Sequence, residues 1–189
     1  MSMSHPINPS VSRLARLGSA ALLAITALTS TMAGQTAPPS GPPPMPCVND
    51  RDRHNFDFWI GEWDVTTKGG SPAGHSVIQS VSGGCALLEN WTGLNGGNGK
   101  SLNAYNPLIR QWQQFWIGQD GGVTEFRSSE LDGVSLVFFV KDDANKSAIS
   151  RLRFTPLDSA TVRQHSESTK DGGKTWKTDY DLYYHRKAQ

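Results

Sequence analysis

Three ionisable residues alternate along one segment near the C-terminus of this 189-residue chain: Arg163, His165 and Glu167, in "VRQHSES". Alternate residues of a β-strand share one face, so a strand here would present a guanidinium, an imidazole and a carboxylate together. Such a set can orient a polar ligand, and the imidazole and the carboxylate can also move protons. If Glu89 met Glu167, the pair of carboxylates would suit glycoside or isomerase chemistry.

Other kinds of chemistry have little support in the sequence. The five histidines are scattered without close ligand spacing and the two cysteines lie far apart, so we predict no metal site. No Gly-x-Ser-x-Gly is present, and the "GLNGGNG" run lacks the lysine and the following helix of a phosphate loop. We expect no cofactor, with haem ligation by His165 or His185 kept as a minor alternative. A net charge of +1 argues against nucleic acid as a partner.

The N-terminal region has the composition of an export signal followed by a tether. Residues 1–33 contain two arginines, an apolar run at 17–28 and a Thr-Met-Ala end, the order of regions in a signal peptide. That run is too short to span a bilayer, so we expect no membrane span in the mature protein. A buried amphipathic helix is the alternative, disfavoured because the run is apolar on all sides. Residues 34–48 include "APPSGPPPMP", whose proline density predicts an extended tether. We therefore expect an exported protein, periplasmic or extracellular.

The mature chain keeps two cysteines, Cys47 and Cys85. Export to an oxidising compartment favours a disulfide between them, which would tie the end of the tether to the folded domain. The alternative is a pair of free buried thiols.

The remainder of the chain, 49–187, has the pattern of short strands joined by turns. We predict strands at 62–68, 74–82, 85–92, 100–105, 110–117, 123–131, 134–141, 147–155, 160–168 and 175–185. Gly, Asn, Asp and Pro fill the connections, and no helical stretch of useful length intervenes. A meander of that length must curl, and closure removes its exposed edges. The predicted fold class is therefore all-β, a single antiparallel up-and-down barrel of about ten strands.

A short helix is predicted just ahead of the first strand. In "DRDRHNFDFWIG", Phe56, Trp59 and Ile60 have helical spacing, and Gly61 ends the helix. Trp63 follows in the first strand. So much aromatic mass on one or two turns predicts a plug that closes one end of the barrel.

Four segments together resemble exported bacterial lipocalin-like, or calycin-type, β-barrel proteins: "FDFWIGEWDV", "GGCALLENWTG", "YNPLIRQWQQFW" and "DGGKTW". The resemblance covers residues 47–186. It implies a barrel in which the tryptophan of the Gly-x-Trp motif, Trp63, packs at the closed base. It implies no particular reaction.

The loop of the last hairpin predicts which side chains face inward. If "KDGG" is a four-residue loop, one face of the hairpin carries Arg163, His165, Glu167, Trp176, Thr178, Tyr180 and Leu182. The other face carries Gln164, Ser166, Lys177, Asp179 and Asp181, a set typical of a wet exterior. We therefore predict that the first face points into the barrel. On the two preceding strands, the same reasoning directs inward Leu136, Phe138, Leu152 and Phe154.

On three earlier strands, parity follows from keeping Trp91 and Tyr105 inside. The predicted ligand-binding residues are Glu89, Trp91, Asn103, Tyr105, Gln114, Trp116, Arg163, His165, Glu167 and Tyr180. Buried charge is costly unless it is paired or hydrated, so these residues favour a wet cavity. The alternative is that they lie near the barrel rim and simply reach solvent.

A second group of residues is predicted to be structural: Phe56, Trp59, Gly61, Trp63, Asp171 and Trp176. The segment "TKDGGKTW" is similar to the Asp-box hairpin of sialidase-type propellers, but the mature chain is far too short for such a propeller. We expect Asp171 to bond turn amides, with Trp176 packing beneath.

These patterns favour a barrel that holds a small, partly apolar molecule in an aromatic-lined cavity with a polar patch. Two alternatives remain open. One is an isomerase, hydrolase or haem enzyme on the same barrel. The other is a filled barrel that acts as an envelope interaction module.

Overall fold

The computed structural model of the chain describes residues 45–141 and 147–188, all within one compact unit, Pro42–Gln189. The predicted signal peptide, 1–33, and most of the predicted tether, 34–48, lie outside the described residues.

Ten strands follow one another along the chain and close into a barrel. Their bounds are β1 (Gly61–Thr67), β2 (Pro72–Val81), β3 (Ala86–Gly93), β4 (Asn98–Asn106), β5 (Gln111–Gly118), β6 (Val123–Asp132), β7 (Ser135–Lys141), β8 (Ile149–Pro156), β9 (Thr161–Thr169) and β10 (Lys177–Arg186). Each strand pairs antiparallel with the next, and β10 pairs with β1. The predicted all-β, ten-stranded barrel is confirmed. Closure gives every strand two partners, which protects the sheet from edge-to-edge association.

The alternation of apolar and charged residues along β8 shows why these segments form strands around a core. Leu152 and Phe154 are buried, while Arg151 and Arg153 between and beside them reach the outer surface. On β7, Leu136 and Phe138 join the same core. The inward orientation predicted for these four apolar residues is confirmed.

Two short 3-10 helices, Arg51–His54 and Asp57–Trp59, precede β1. Asp50 caps the first helix, since its carboxylate accepts a hydrogen bond of 3.1 Å from the backbone N–H of Asp52. The predicted short helix is thus confirmed, although it is built from 3-10 turns.

The side chains of this segment close one end of the barrel. Phe56 and Trp59 are fully buried and stack with their ring centroids 4.9 Å apart. Phe154 lies against both, at 4.9 Å from Phe56 and 4.7 Å from Trp59 between centroids. We call the segment 51–59 with these two side chains the plug.

Arg186, at the end of β10, fastens the plug to the barrel. Its guanidinium carbon lies 4.1 Å from the centroid of the Trp63 ring. It also donates to the carbonyls of Ile60, at 2.7 Å, and Phe58, at 3.2 Å. Gly61 permits this approach, because its φ is +143° and a Cβ there would overlap the guanidinium.

The predicted disulfide between Cys47 and Cys85 is confirmed. It joins the chain just ahead of the plug to the connection between β2 and β3, where the 3-10 turn Ser82–Gly84 lies. The plug segment is therefore held at both of its ends.

The β9–β10 hairpin differs from its predicted register. Thr178 pairs with Glu167. A register shift follows, and Tyr180 then pairs with Ser166. The intervening residue, Asp179, is the extra residue of a β-bulge, and an extra residue exchanges the two faces of a strand relative to its partner.

The bulge overturns the predicted orientation of β9. The prediction that Arg163, His165 and Glu167 point into the barrel is wrong, because the inward residues of β9 are the ones between them. Gln164 and Ser166, which were assigned to the exterior, are buried inside.

The turn between β8 and β9, at 157–160, lies one residue later in the chain than the predicted turn at 156–159. Phe154 pairs with Gln164. Tyr180 and Leu182 do line the interior, as predicted, because the bulge precedes both in β10.

The displaced polar residues of β9 form ion pairs on the outer surface. Arg163 donates to both carboxylate oxygens of Asp181, at 2.7 and 2.8 Å. Glu167 accepts from Arg151 at 2.6 Å, and the guanidinium carbon of Arg151 lies 4.2 Å from a ring centroid of Trp176. The prediction that Trp176 faces the interior is therefore also wrong, since it packs on the outer wall.

Asp171 organises the loop between β9 and β10. Its carboxylate accepts from the backbone N–H groups of Lys174 and Thr175, both at 3.0 Å, and from the Thr175 hydroxyl at 2.6 Å. The hydrogen bond from the Thr175 hydroxyl is the largest of several that lower the pKa of Asp171 well below its ordinary range. Trp176 Nε1 donates to the carbonyl of Gly173 at 3.1 Å.

Candidate functional site

A cavity of about 360 Å³ occupies the half of the barrel interior that lies away from the plug. The inward residues of β5 show the division. Trp112 contacts Phe56 in the plug, Gln114 follows, and Trp116 lies in the cavity wall. The lining residues are Glu89, Trp91, Gln114, Trp116, Thr124, Phe126, Leu152, Gln164, Tyr180, Leu182 and Tyr184. The volume falls within the range of small-molecule pockets.

Two glycines let the large indole side chains lie close to the sheet. A Cβ on Gly74 would overlap the ring of Trp91, and a Cβ on Gly99 would overlap the ring of Trp116. Glycine in a strand marks such close approaches. The absence of these two Cβ atoms therefore leaves room for the rings at the wall and keeps the cavity open.

Glu89, on β3, is the one carboxyl group among the described lining residues, and only 3% of its surface is exposed. Its Oε1 accepts from Ser76 Oγ at 3.0 Å, and its Oε2 accepts from Ser101 Oγ at 2.8 Å. Burial raises the pKa of Glu89 to about 7, and the hydrogen bonds from Ser101 and Ser76 oppose that rise. The carboxyl group can therefore gain or lose a proton near neutral pH.

A chain of hydrogen bonds continues from Ser101 across the floor of the cavity. Asn103 Nδ2 donates to Ser101 Oγ at 2.9 Å, and Gln114 Nε2 donates to Asn103 Oδ1 at 2.8 Å. The second amide atom of Gln114, Oε1, has no hydrogen bond to another described residue. Gln114 therefore offers an acceptor to a ligand.

Two phenols of β10 complete the polar part of the lining. Tyr184 is buried and its hydroxyl donates to Gln164 Oε1 at 2.8 Å. Burial, reinforced by the nearby Glu89, raises the pKa of Tyr184 well above its ordinary range. Tyr180 is 39% exposed to water, yet the surrounding wall desolvates its hydroxyl and raises the pKa of Tyr180 to about 12. Both phenols are therefore neutral at physiological pH.

Glu89 has no counter-charge among the described residues that line the cavity, because none of them is an arginine, lysine or histidine. Buried charges in proteins are ordinarily paired with an opposite charge or with a ligand. The site can thus accept a hydrogen-bond donor, a cation or a proton at Glu89.

The structure brings together half of the predicted ligand-binding residues. Those that line the cavity are Glu89, Trp91, Gln114, Trp116 and Tyr180. Asn103 lies directly beneath, in the floor network. Arg163, His165 and Glu167 lie on the outer surface.

Tyr105 points inward but lies at the plug end of β4. Its hydroxyl donates to Asp52 Oδ2 at 3.1 Å, and its ring contacts Trp112. The prediction that Tyr105 lines the ligand site is corrected, because alternation gives the face of a strand but not the depth along the barrel.

Several residues of the site were missed by the sequence reasoning: Ser76, Ser101, Thr124, Phe126, Gln164 and Tyr184. Ser101 pairs directly with Glu89 across β3 and β4, so aligning the two predicted strands would have found it. Gln164 could be found only by locating the bulge in β10.

The two histidines considered for haem lie outside the barrel. His165 Nε2 is 3.1 Å from Thr178 Oγ1, and His185 Nε2 is 3.1 Å from Thr66 Oγ1. Neither imidazole is in position to ligate a group held in the cavity. Across residues 45–141 and 147–188, no cluster of three or more His, Cys, Asp or Glu is placed to hold a metal ion. The same residues contain no helix with the length and apolar character needed to cross a membrane.

Neither a protein-family model nor a curated protein matches this chain.

Proposed function

We propose that this protein is an exported β-barrel that binds a small, partly apolar molecule in its cavity. The observation that supports the proposal is the cavity itself, in which aromatic and aliphatic walls surround a few converging polar groups. Its volume of about 360 Å³ is near the lower end of the range for such pockets, which favours a compact ligand.

Export is supported by two features. The Cys47–Cys85 disulfide suits an oxidising compartment, and residues 1–33 have the composition of a signal peptide. The proposed kinship with lipocalin-like barrels is supported by Gly61 and Trp63, because the tryptophan packs at the plugged end beneath Arg186.

Native mass spectrometry of protein purified from its own compartment tests the binding function. We expect an additional bound mass on the wild-type protein. Thr124→Trp should eliminate that mass by filling the cavity from its wall, whereas Val123→Trp, on the exposed neighbour, should retain it. A wild-type protein without bound mass, or a Thr124→Trp variant that keeps it, would contradict the proposal.

A second candidate function, proton transfer on the bound molecule, is favoured by one observation. The pKa of Glu89 is about 7, and a general base or acid is most effective when its pKa lies near the working pH. If the bound molecule isolated above is a substrate, wild-type protein should convert it to an isomer and Glu89→Gln should bind it without conversion. Equal conversion by both proteins would exclude this role for Glu89.

A further inference from the structure

The distribution of charge in the cavity indicates which class of ligand it accepts. This inference rests on the proposed binding function. Glu89 is held by Ser76 and Ser101, whose hydroxyls both donate to its carboxylate oxygens. These two bonds orient both oxygens and favour the charged form, but they supply no positive charge. A positively charged ligand would complete the site.

Gln114 adds a second acceptor to the lining. Gln114 directs its donor to Asn103, which leaves Oε1 as an acceptor. The hydroxyl of Tyr184 donates to Gln164 Oε1 and also lies close to Glu89. An ammonium group has three donors and no acceptor, so it matches acceptors such as the Glu89 carboxylate and Gln114 Oε1.

The aromatic walls add a second attraction for a cation. Trp91 and Trp116 both line the cavity that contains Glu89. The faces of indole rings attract cations, and the attraction is greater where water is excluded. The same rings provide apolar contact for the rest of a ligand.

We infer that the cavity binds a compact organic amine, with its ammonium nitrogen paired to Glu89 and its apolar portion packed against Trp91 and Trp116.

A matched series of three probes tests this inference on the mature, disulfide-bonded protein. The probes are phenethylamine, 2-phenylethanol and 3-phenylpropionate, which share a ring and differ in the charge of the end group. Binding is followed by tryptophan fluorescence and by NMR chemical shifts of the cavity residues. For wild-type protein at pH 8, we expect the amine to bind about ten-fold more tightly than the alcohol, and the carboxylate to bind most weakly.

Glu89→Gln is the matched variant, because it keeps the shape of the side chain and removes its charge. We expect it to bind the amine and the alcohol within about two-fold of each other. The preference of the wild type for the amine should increase from pH 5 to pH 8, as Glu89 ionises. The other titratable groups facing Glu89 are Tyr180 and Tyr184, which stay neutral over this range.

The outcomes separate this inference from the proposed function. Equal affinities for amine and alcohol, tightest binding of the carboxylate, or an amine preference that survives Glu89→Gln would each overturn the cation inference. The binding barrel would stand in all three cases. Failure of all three probes to bind would count against both.

Discussion

The two halves of the barrel interior are built from the same strands but are filled differently. On β5, Trp112 at the plug end is 3% exposed, whereas Trp116 borders an open cavity. On β10, Tyr184 lies where the plug meets the cavity, in contact with Trp59, and is 1% exposed, whereas Tyr180, four residues nearer the opening, is 39% exposed. The sheet therefore does not decide which half is solid. The plug decides it, because Phe56 and Trp59 enter one end only.

The two halves also differ in chemistry. The plug half is packed through ring contacts among Phe56, Trp59, Phe138 and Phe154, which suits a source of stability. The cavity half holds a buried carboxyl, Glu89, with no counter-charge among the described lining residues. Such a group lowers stability when it is charged, unless a ligand compensates it. Functional sites commonly retain such locally unfavourable groups while the remainder of the fold stabilises them. The experiments below test this division.

Truncating one tryptophan in each half should give the largest contrast. We expect Trp59→Ala to lower the free energy of unfolding by about 3–5 kcal/mol, because it empties a fully buried site between two phenylalanines. Trp116→Ala should cost less than half as much, since its ring already borders open space, and should weaken ligand binding instead. Urea denaturation gives both free energies, and equal losses would contradict the division.

Removing the disulfide should affect mainly the plug. We expect the double variant Cys47→Ser, Cys85→Ser to lose about 2–4 kcal/mol of stability, with faster amide exchange in the plug than in β3–β5. Treating wild-type protein with a reductant is the control, and it should reproduce the loss while leaving the variant unchanged. Uniformly faster exchange over the whole barrel would argue that the bridge does not act on the plug in particular.

The cavity half should respond to pH through Glu89. Its pKa is raised from 4.5 to about 7 in the folded protein, so ionisation is harder in the folded than in the unfolded state. Its contribution to stability is therefore full below pH 4.5 and is lost as the pH rises through 7. The loss is about 3 kcal/mol.

Glu89→Gln measures that loss directly. The free energy of unfolding of the variant should match that of the wild type near pH 4.5 and exceed it by up to about 3 kcal/mol at pH 8. Urea denaturation at each pH measures both values. Carboxylates with lowered pKa values, such as Asp171 and Asp181, lose their contribution at more acidic pH and do so in both proteins. Parallel stability curves for the two proteins would show that Glu89 is not desolvated in the folded state.

Two conservative variants at the plug end should differ by a smaller amount. Trp63 Nε1 donates to the carbonyl of Trp59 at 2.9 Å, whereas Trp59 Nε1 is buried without a hydrogen-bond partner among the described residues. Both Trp→Phe changes remove similar ring volume. We expect Trp63→Phe to cost about 1 kcal/mol more than Trp59→Phe, because only the former removes a hydrogen bond. A larger thermal shift for Trp59→Phe would contradict this assignment.

The smallest effects should come from the outer face of β9. His165→Ala should change stability by less than about 1 kcal/mol, since its polar contacts are partly exposed, and Arg163→Ala by about 1 kcal/mol, since it removes a two-bond pair with Asp181. Neither should alter the affinity for phenethylamine. Gln164→Ala, between them in sequence but inside the cavity, should alter that affinity. Loss of affinity in the two outer variants would indicate that β9 faces the opposite way.

Much of the fold was predictable, because its determinants are local. Strand alternation and turns rich in Gly, Asn and Asp mark each strand within a few residues. The plug was predictable from the spacing of Phe56 and Trp59. In the cavity, Glu89, Trp91, Gln114 and Trp116 followed from alternation on β3 and β5, because no bulge interrupts those strands.

The errors arose where one residue exchanges the faces of a strand. The bulge at Asp179 turned Arg163, His165 and Glu167 outward and brought Gln164 inward. Tyr105 was assigned to the correct face but the wrong depth, because strand alternation predicts which side of the sheet a residue faces and not how far along the barrel axis it lies.

The sequence by itself determined the ten strands, the aromatic plug and the disulfide. Strands, turns and the plug depend on residues that are close together in the chain, and a chain with only two cysteines allows only one disulfide between them. Only the tertiary structure decided that one half of the interior is solid and the other hollow, and that Glu89 lies in the hollow half with no counter-charge among the described lining residues. The presence of a cavity and the pKa of a buried carboxyl both depend on which side chains, far apart in the sequence, surround the same place in the folded protein. That arrangement exists only once the barrel has closed.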